Sequence, residues 1–290
     1  MRVTLPPIRH DRRGFERLVH LHAQTKDCFC DNIEIDMRGT TWFDADMCAA
    51  FGAILYNLGA KLNTVRLTHI PHEVQNILSR NGFLSHYGRN KIPDDWGSTI
   101  TYKRFDTKDD RYFSGYIEYE LIYRSEMPKM SLGLLKKFRE SIFEIFSNAV
   151  LHSSTERGIF SCGQFFHKRK KLDFTVADLG VGMRQNIKTH TGLDFSPEKA
   201  IEWATEGNNT TKRGSVPGGL GLKILGEFID LNRGCIQIVS DAGYWQRRNG
   251  HTFTAQLSER FPGTVVSVEI NTADTASYGL TSEINAADIF

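Results

Sequence analysis

Residues 144–153 read EIFSNAVLHS, with a carboxylate, an amide and an imidazole at four-residue steps. On a helix, Glu144, Asn148 and His152 form one polar line. An apolar stripe runs beside it, because Leu135, Phe138, Ile142, Ile145 and Ala149 recur at three- and four-residue steps. Alone, such a line could be the wet face of an amphipathic helix. The rest of the chain gives it a second reading.

Working outward, the text alternates strand and helix, which predicts an α/β protein. Upstream, IEIDMRG (33–39) alternates apolar and polar residues as a strand does. Residues 42–60 turn to helical periodicity, TVRLTHI (64–70) is a second strand, and HEVQNILSRNGF is a helix stopped at Asn81-Gly82. The polar, turn-rich GRNKIPDDWGS (88–98) marks a boundary. Beyond it two extended segments precede the long helix, and the strand KLDFTVADLG follows. Residues 183–217 are polar and irregular, interrupted by a helix in SPEKAIEWATEG. Another helix opens in GGLGLKILGEFIDLN. Strands GCIQIVSD and GTVVSVEI, with a hairpin turn at Asn249-Gly250, close the pattern. This divides the chain into domains at 1–98 and 99–272, with a polar, loosely held tail at 273–290.

Three segments after the boundary bear on chemistry. DLGVG sets Asp178 at a strand end with Gly180 and Gly182 behind it, where backbone can approach a flat ligand and the carboxylate can accept from an exocyclic amine. In GGLGLK, Gly219, Leu220, Gly221 and Leu222 lie at a helix start, whose free amides and dipole favour phosphate. Asn148 offers an amide oxygen to Mg²⁺, and Glu144, one turn away, can polarise a water or hydroxyl. Neither a P-loop nor a complete Rossmann fingerprint occurs.

In order and spacing these segments resemble the ATP-binding domain of gyrase, Hsp90, MutL and sensor histidine kinases, the GHKL superfamily. Residues 130–270 carry the resemblance: EIFSNAVLH as N box, DLGVG and GGLGLKI as the two glycine boxes. It implies a Bergerat-type two-layer sandwich with a mixed sheet, and ATP and Mg²⁺ as cofactors. Glu144 would be the catalytic base, Asn148 the metal ligand and Asp178 the adenine reader. Residues 183–217 would form an ATP lid, with Thr211 and Lys212 reaching the γ-phosphate. Thr264 resembles the late-strand threonine behind adenine. His152 is either a cap near the phosphates or a structural histidine.

The Glu-x-x-x-Asn-Ala-x-x-His pattern is most similar to anti-sigma-factor serine kinases. Residues 33–86 resemble the STAS domain of anti-sigma-factor antagonists. DMRG (36–39) and WFDAD have that family's spacing, but Ala45 stands where its phosphoacceptor serine belongs. The implied protein is a two-domain ATP-binding regulator. It would transfer phosphate from Mg·ATP to a partner Ser or Thr, or to water. The partner would be a separate small STAS-like protein or a transcription regulator. Two alternatives are a non-catalytic ATP-gated switch and a dimeric, conformational GHKL ATPase.

Composition bounds the rest. The 36 basic and 34 acidic residues nearly cancel, giving no electrostatic reason to expect nucleic acid or an acidic membrane as partner. MRVTLPPIRHDRRGF lacks the apolar core of a signal peptide, and five scattered cysteines suit free thiols, so a cytoplasmic location is expected.

Overall fold

A computed structural model describes residues 1–152, 157–206, 209, 220–280 and 283, with backbone alone at 151, 152 and 220. The chain is mixed α/β. Its first part runs β1 (Arg2–Thr4), α1 (Arg12–Thr25), β2 (Asn32–Asp36), a short 3₁₀ turn (Ala45–Met47), α2 (Cys48–Gly59), β3 (Thr64–Thr68) and α3 (His72–Arg80). The three strands are parallel in the order β1-β2-β3, with Ile33 facing Val65 and Ile35 facing Leu67 across the central pair. The amide of Gly14 donates to Asp11 at 2.8 Å, which starts α1.

The second part runs β4 (Thr99–Phe105), α4 (Asp110–Ile117), β5 (Lys129–Met130), α5 (Leu132–His152), β6 (Ile159–Phe166) and β7 (Lys171–Asp178). It continues through α6 (Gly182–Thr191), α7 (Pro197–Thr205), α8 (Leu220–Asn232), β8 (Cys235–Arg248), β9 (His251–Asn271) and β10 (Ser277–Tyr278). Five strands form one sheet in the order β4-β6-β7-β9-β8, and all four pairings are antiparallel. Strand directions are therefore mixed between the two large sheets, parallel in the first and antiparallel in the second. The β8–β9 turn places Asn249 and Gly250 at φ of 52° and 73°, the left-handed pair that a two-residue hairpin requires.

Side chains alternate cleanly across the five-stranded sheet. One face carries Ile159, Phe174, Val176, Ile238 and Val268 against α4, α5 and α8. There Phe113 of α4 stacks on Phe146 of α5 at 4.3 Å, and Phe138 of α5 meets Phe228 of α8 at 5.4 Å. The other face carries Phe160, Cys162, Ala177, Val239 and Val265 against α1 and α2. Helix α2 lies between the sheets, which explains its composition: ten of its twelve residues are buried, so it is apolar all round. Gly52 allows that approach, since a Cβ there would sit 2.2 Å from the Tyr102 hydroxyl. The segments on either side of residue 98 thus share one core.

Three segments differ from expectation. Residues 110–122, read as extended, are helical. Residues 182–191, read mostly as irregular lid, form α6. The tail is held over its described part: β10 pairs with β5, and Tyr278 is buried at 5.4 Å from Phe228. Among the described residues no helix is long and apolar enough to cross a membrane.

Candidate nucleotide-binding site

Strand β7 delivers Asp178 at its last position, on the face that α5 and α8 cover. The carboxyl group is buried and its Oδ1 has no hydrogen-bond partner. Burial pushes the group up to about 7, while the backbone amides of Gly180 and Thr264 pull it partly back. Thr264 completes the cluster through Ser240, whose hydroxyls lie 2.9 Å apart. Ser240 also accepts from the Met183 amide at 2.8 Å, fixing the start of α6 directly after Gly182, which has φ of 77°. Asp178, Gly180, Gly182 and Thr264 therefore meet at one strand end.

A residue that sequence reading passed over holds this arrangement. A Cβ at Gly263 would lie 2.1 Å from the Asp178 carbonyl oxygen and 2.9 Å from the Gly180 amide nitrogen. Both are backbone atoms, so the strand end would have to move. Gly263→Ala is expected to cost about 1–3 kcal/mol by overpacking and to displace the Asp178 loop. Urea unfolding reads the first effect and nucleotide titration the second. Wild-type values in both would show that β9 yields there freely. The sequence signal was available in Pro262-Gly263, a break inside a strand run.

The second cluster joins two helices. Gly221, in the first turn of α8, donates its amide to Glu144 Oε2 of α5 at 2.8 Å. A Cβ at position 221 would come 2.3 Å from that oxygen, so the carboxylate would have to swing aside. Glu144 and Asn148 are both half-buried, one turn apart. The Leu222 side chain belongs to the core, leaving its backbone as the part that can face a ligand. Helix α6, which begins at the first cluster, also approaches α5. Thr211, Lys212 and Gly219 lie outside the described residues, as do the side chains of Leu220 and His152. A cleft of about 1070 Å³ opens between α2, β3 and β4, and none of these residues lines it.

The turn at residues 40–46 has a definite place. Ala45 is buried against β6, its amide donating to Gln164 Oε1 at 2.5 Å. Thr40 is buried with its hydroxyl on the Leu5 carbonyl, whereas Thr41 is exposed. Behind the turn lies a buried cluster that sequence reading missed, His10, Asp46 and Asp173. Burial alone would lower the His10 imidazole, but the Asp46 and Asp173 carboxylates outweigh it and raise it well above its ordinary value.

No protein-family model matches the chain, and no curated protein matches it.

Proposed function

We propose that the chain binds Mg·ATP as a GHKL-type domain fused to a STAS-like one, and passes the γ-phosphoryl group to a partner Ser or Thr, or to water. One observation carries the reading: a buried carboxylate oxygen without a donor, Asp178 Oδ1, at a strand end flanked by glycines. A buried acceptor left unmatched costs free energy unless a donor arrives, and the exocyclic amine of adenine is such a donor. Gly219–Leu222 at the start of α8 would meet the phosphates. Asn148 would hold Mg²⁺ and Glu144 would act as base. The partner would be a separate small protein, STAS-like or a transcription regulator, because position 45 here has no hydroxyl and is buried on β6.

Calorimetry with Mg·ATP tests the adenine contact. In Asp178→Asn the Gly180 and Thr264 amides claim the single amide oxygen, so the NH₂ group faces another donor. Affinity is expected to fall roughly ten- to hundred-fold. Protonation does the same to the wild type. With Asp178 titrating at about 7, affinity should drop as pH falls from 8 to 6, while the Asn variant shows no such component. Folding has the opposite sign. A carboxyl raised above its unfolded value stabilises the free protein in acid, and that contribution is lost as pH rises through about 7. Equal affinity for wild type and Asp178→Asn at pH 8 would remove the assignment.

A second reading has its own support. Glu144 is engaged with the Gly221 amide, an amide that the phosphates would also seek. In a non-catalytic switch, ATP would displace that carboxylate and reorder the segment before α8, making or hiding a protein-binding surface.

A further inference from the structure

The opposite face of the sheet carries a second constellation, independent of the nucleotide reading. His10 comes from the segment between β1 and α1, Asp46 from the turn before α2, and Asp173 from the middle of β7. His10 Nδ1 lies 3.0 Å from Asp46 Oδ2 and 3.1 Å from Asp173 Oδ2, with all three side chains 1% exposed or less. Neither contact is aligned as a hydrogen bond. His10 Nδ1 and Nε2, Asp46 Oδ1 and Asp173 Oδ1 are all buried without a hydrogen-bond partner. So many unmatched polar atoms around one point are costly in a core.

We propose that His10, Asp46 and Asp173 together bind one divalent transition-metal ion, of the Mn²⁺ or Zn²⁺ kind. Three features point there. Donor atoms each about 2.1 Å from one cation, at right angles, lie about 3.0 Å apart, the spacing between Nδ1 and the two carboxylates. One imidazole with two carboxylates is a donor set that suits these metals better than the all-oxygen shell preferred by Mg²⁺ or Ca²⁺. The carboxylates are also oriented from behind, Asp46 Oδ2 by the Thr175 hydroxyl at 3.0 Å and Asp173 Oδ2 by Lys171 at 2.7 Å.

Charge favours a cation in the same place. Facing the cluster are the carboxylates of Asp44, Asp46, Asp173 and Glu269. Against them stand Lys171 and Arg248, which pair with Asp173 and Glu269. The formal surplus is two negative charges, which one divalent ion cancels. Its role would be structural, since it would join the segment ahead of α1, the entry to α2 and the back of the sheet. The rival occupant is a proton on His10.

The test uses the full chain, stripped with chelator and reloaded with Mn²⁺, Zn²⁺ or Co²⁺, both in the native state and during refolding. One equivalent of metal per chain is expected by elemental analysis, with a higher unfolding temperature. Co²⁺ should show a nitrogen- and oxygen-ligand spectrum without the thiolate charge-transfer band that Cys28 or Cys30 would give. His10→Gln should lose the equivalent, and Thr175→Val should weaken binding by roughly ten- to hundred-fold. Failure of wild-type protein to take up metal by either route would overturn the proposal in favour of the proton. Uptake that survives His10→Gln, or a thiolate band, would overturn it too. Should His10→Gln not fold, the wild-type stoichiometry and Co²⁺ spectrum decide.

Discussion

Glu144→Ala is expected to leave Mg·ATP bound while lowering phosphate release or transfer by about 10²–10⁴-fold, the contribution of a positioned general base. The two halves of this expectation come from different atoms. Asn148, one turn along α5, would supply the metal contact and is untouched. The Gly221 amide loses the carboxylate at 2.8 Å and becomes available to phosphate, so affinity should hold or rise. Glu144→Gln separates the roles further. Its amide oxygen can still accept from Gly221, keeping α5 and α8 joined, but it cannot take a proton. Asn148→Ala should show the reverse pattern, with Mg·ATP itself weakened. Wild-type turnover in both Glu144 variants would place the base elsewhere. No turnover in the wild type, combined with tighter ATP in Glu144→Ala, would favour the switch.

What could be read in the sequence was what neighbouring residues encode. Helix α5 announces itself by an apolar stripe, α8 by glycines before a periodic run, and the β8–β9 turn by Asn249-Gly250. The order Glu144, Asp178, Gly221 was legible because each residue sits in a motif a few residues long. The structure places them on the face of the five-stranded sheet that α5 and α8 cover. Strand β6 was not legible: IFSCGQFF is buried on both faces and lacks the alternation that marks a half-exposed strand. Helix α6 escaped because GMRQNIKTHT buries only Gly182, Asn186 and Ile187, too few for a stripe. The Gly263 contact and the His10 cluster join residues far apart in the chain, and no local pattern encodes them. Buried Asp173 hides within KLDF as an ordinary polar position of a strand.

Lys171→Met is expected to destabilise chelator-treated protein by about 3–5 kcal/mol, the range for removing one partner of a buried ion pair. Lys171 bridges Asp173 at 2.7 Å and Glu269 at 2.8 Å, on neighbouring strands of the sheet's back face. Burial opposes its charge, yet the two carboxylates raise its pKa. Methionine matches the stem but leaves wholly buried Asp173 with only His10 beside it, and mostly buried Glu269 with Arg248 as its remaining cation. The loss should reach both parts of the chain, because α1 and α2 share a core with β6, β7 and β9. Trp42, bonded to Asp44 ahead of α2, and Trp245, buried on β8, provide one fluorescent reporter on each side. Single-tryptophan variants retaining one or the other should give coincident denaturant midpoints, both lowered by Lys171→Met. A Trp42 transition well below that of Trp245 would mean that the first part unfolds alone and that the common core couples them weakly. A change under about 1 kcal/mol would show that water reaches Lys171 and screens the pair.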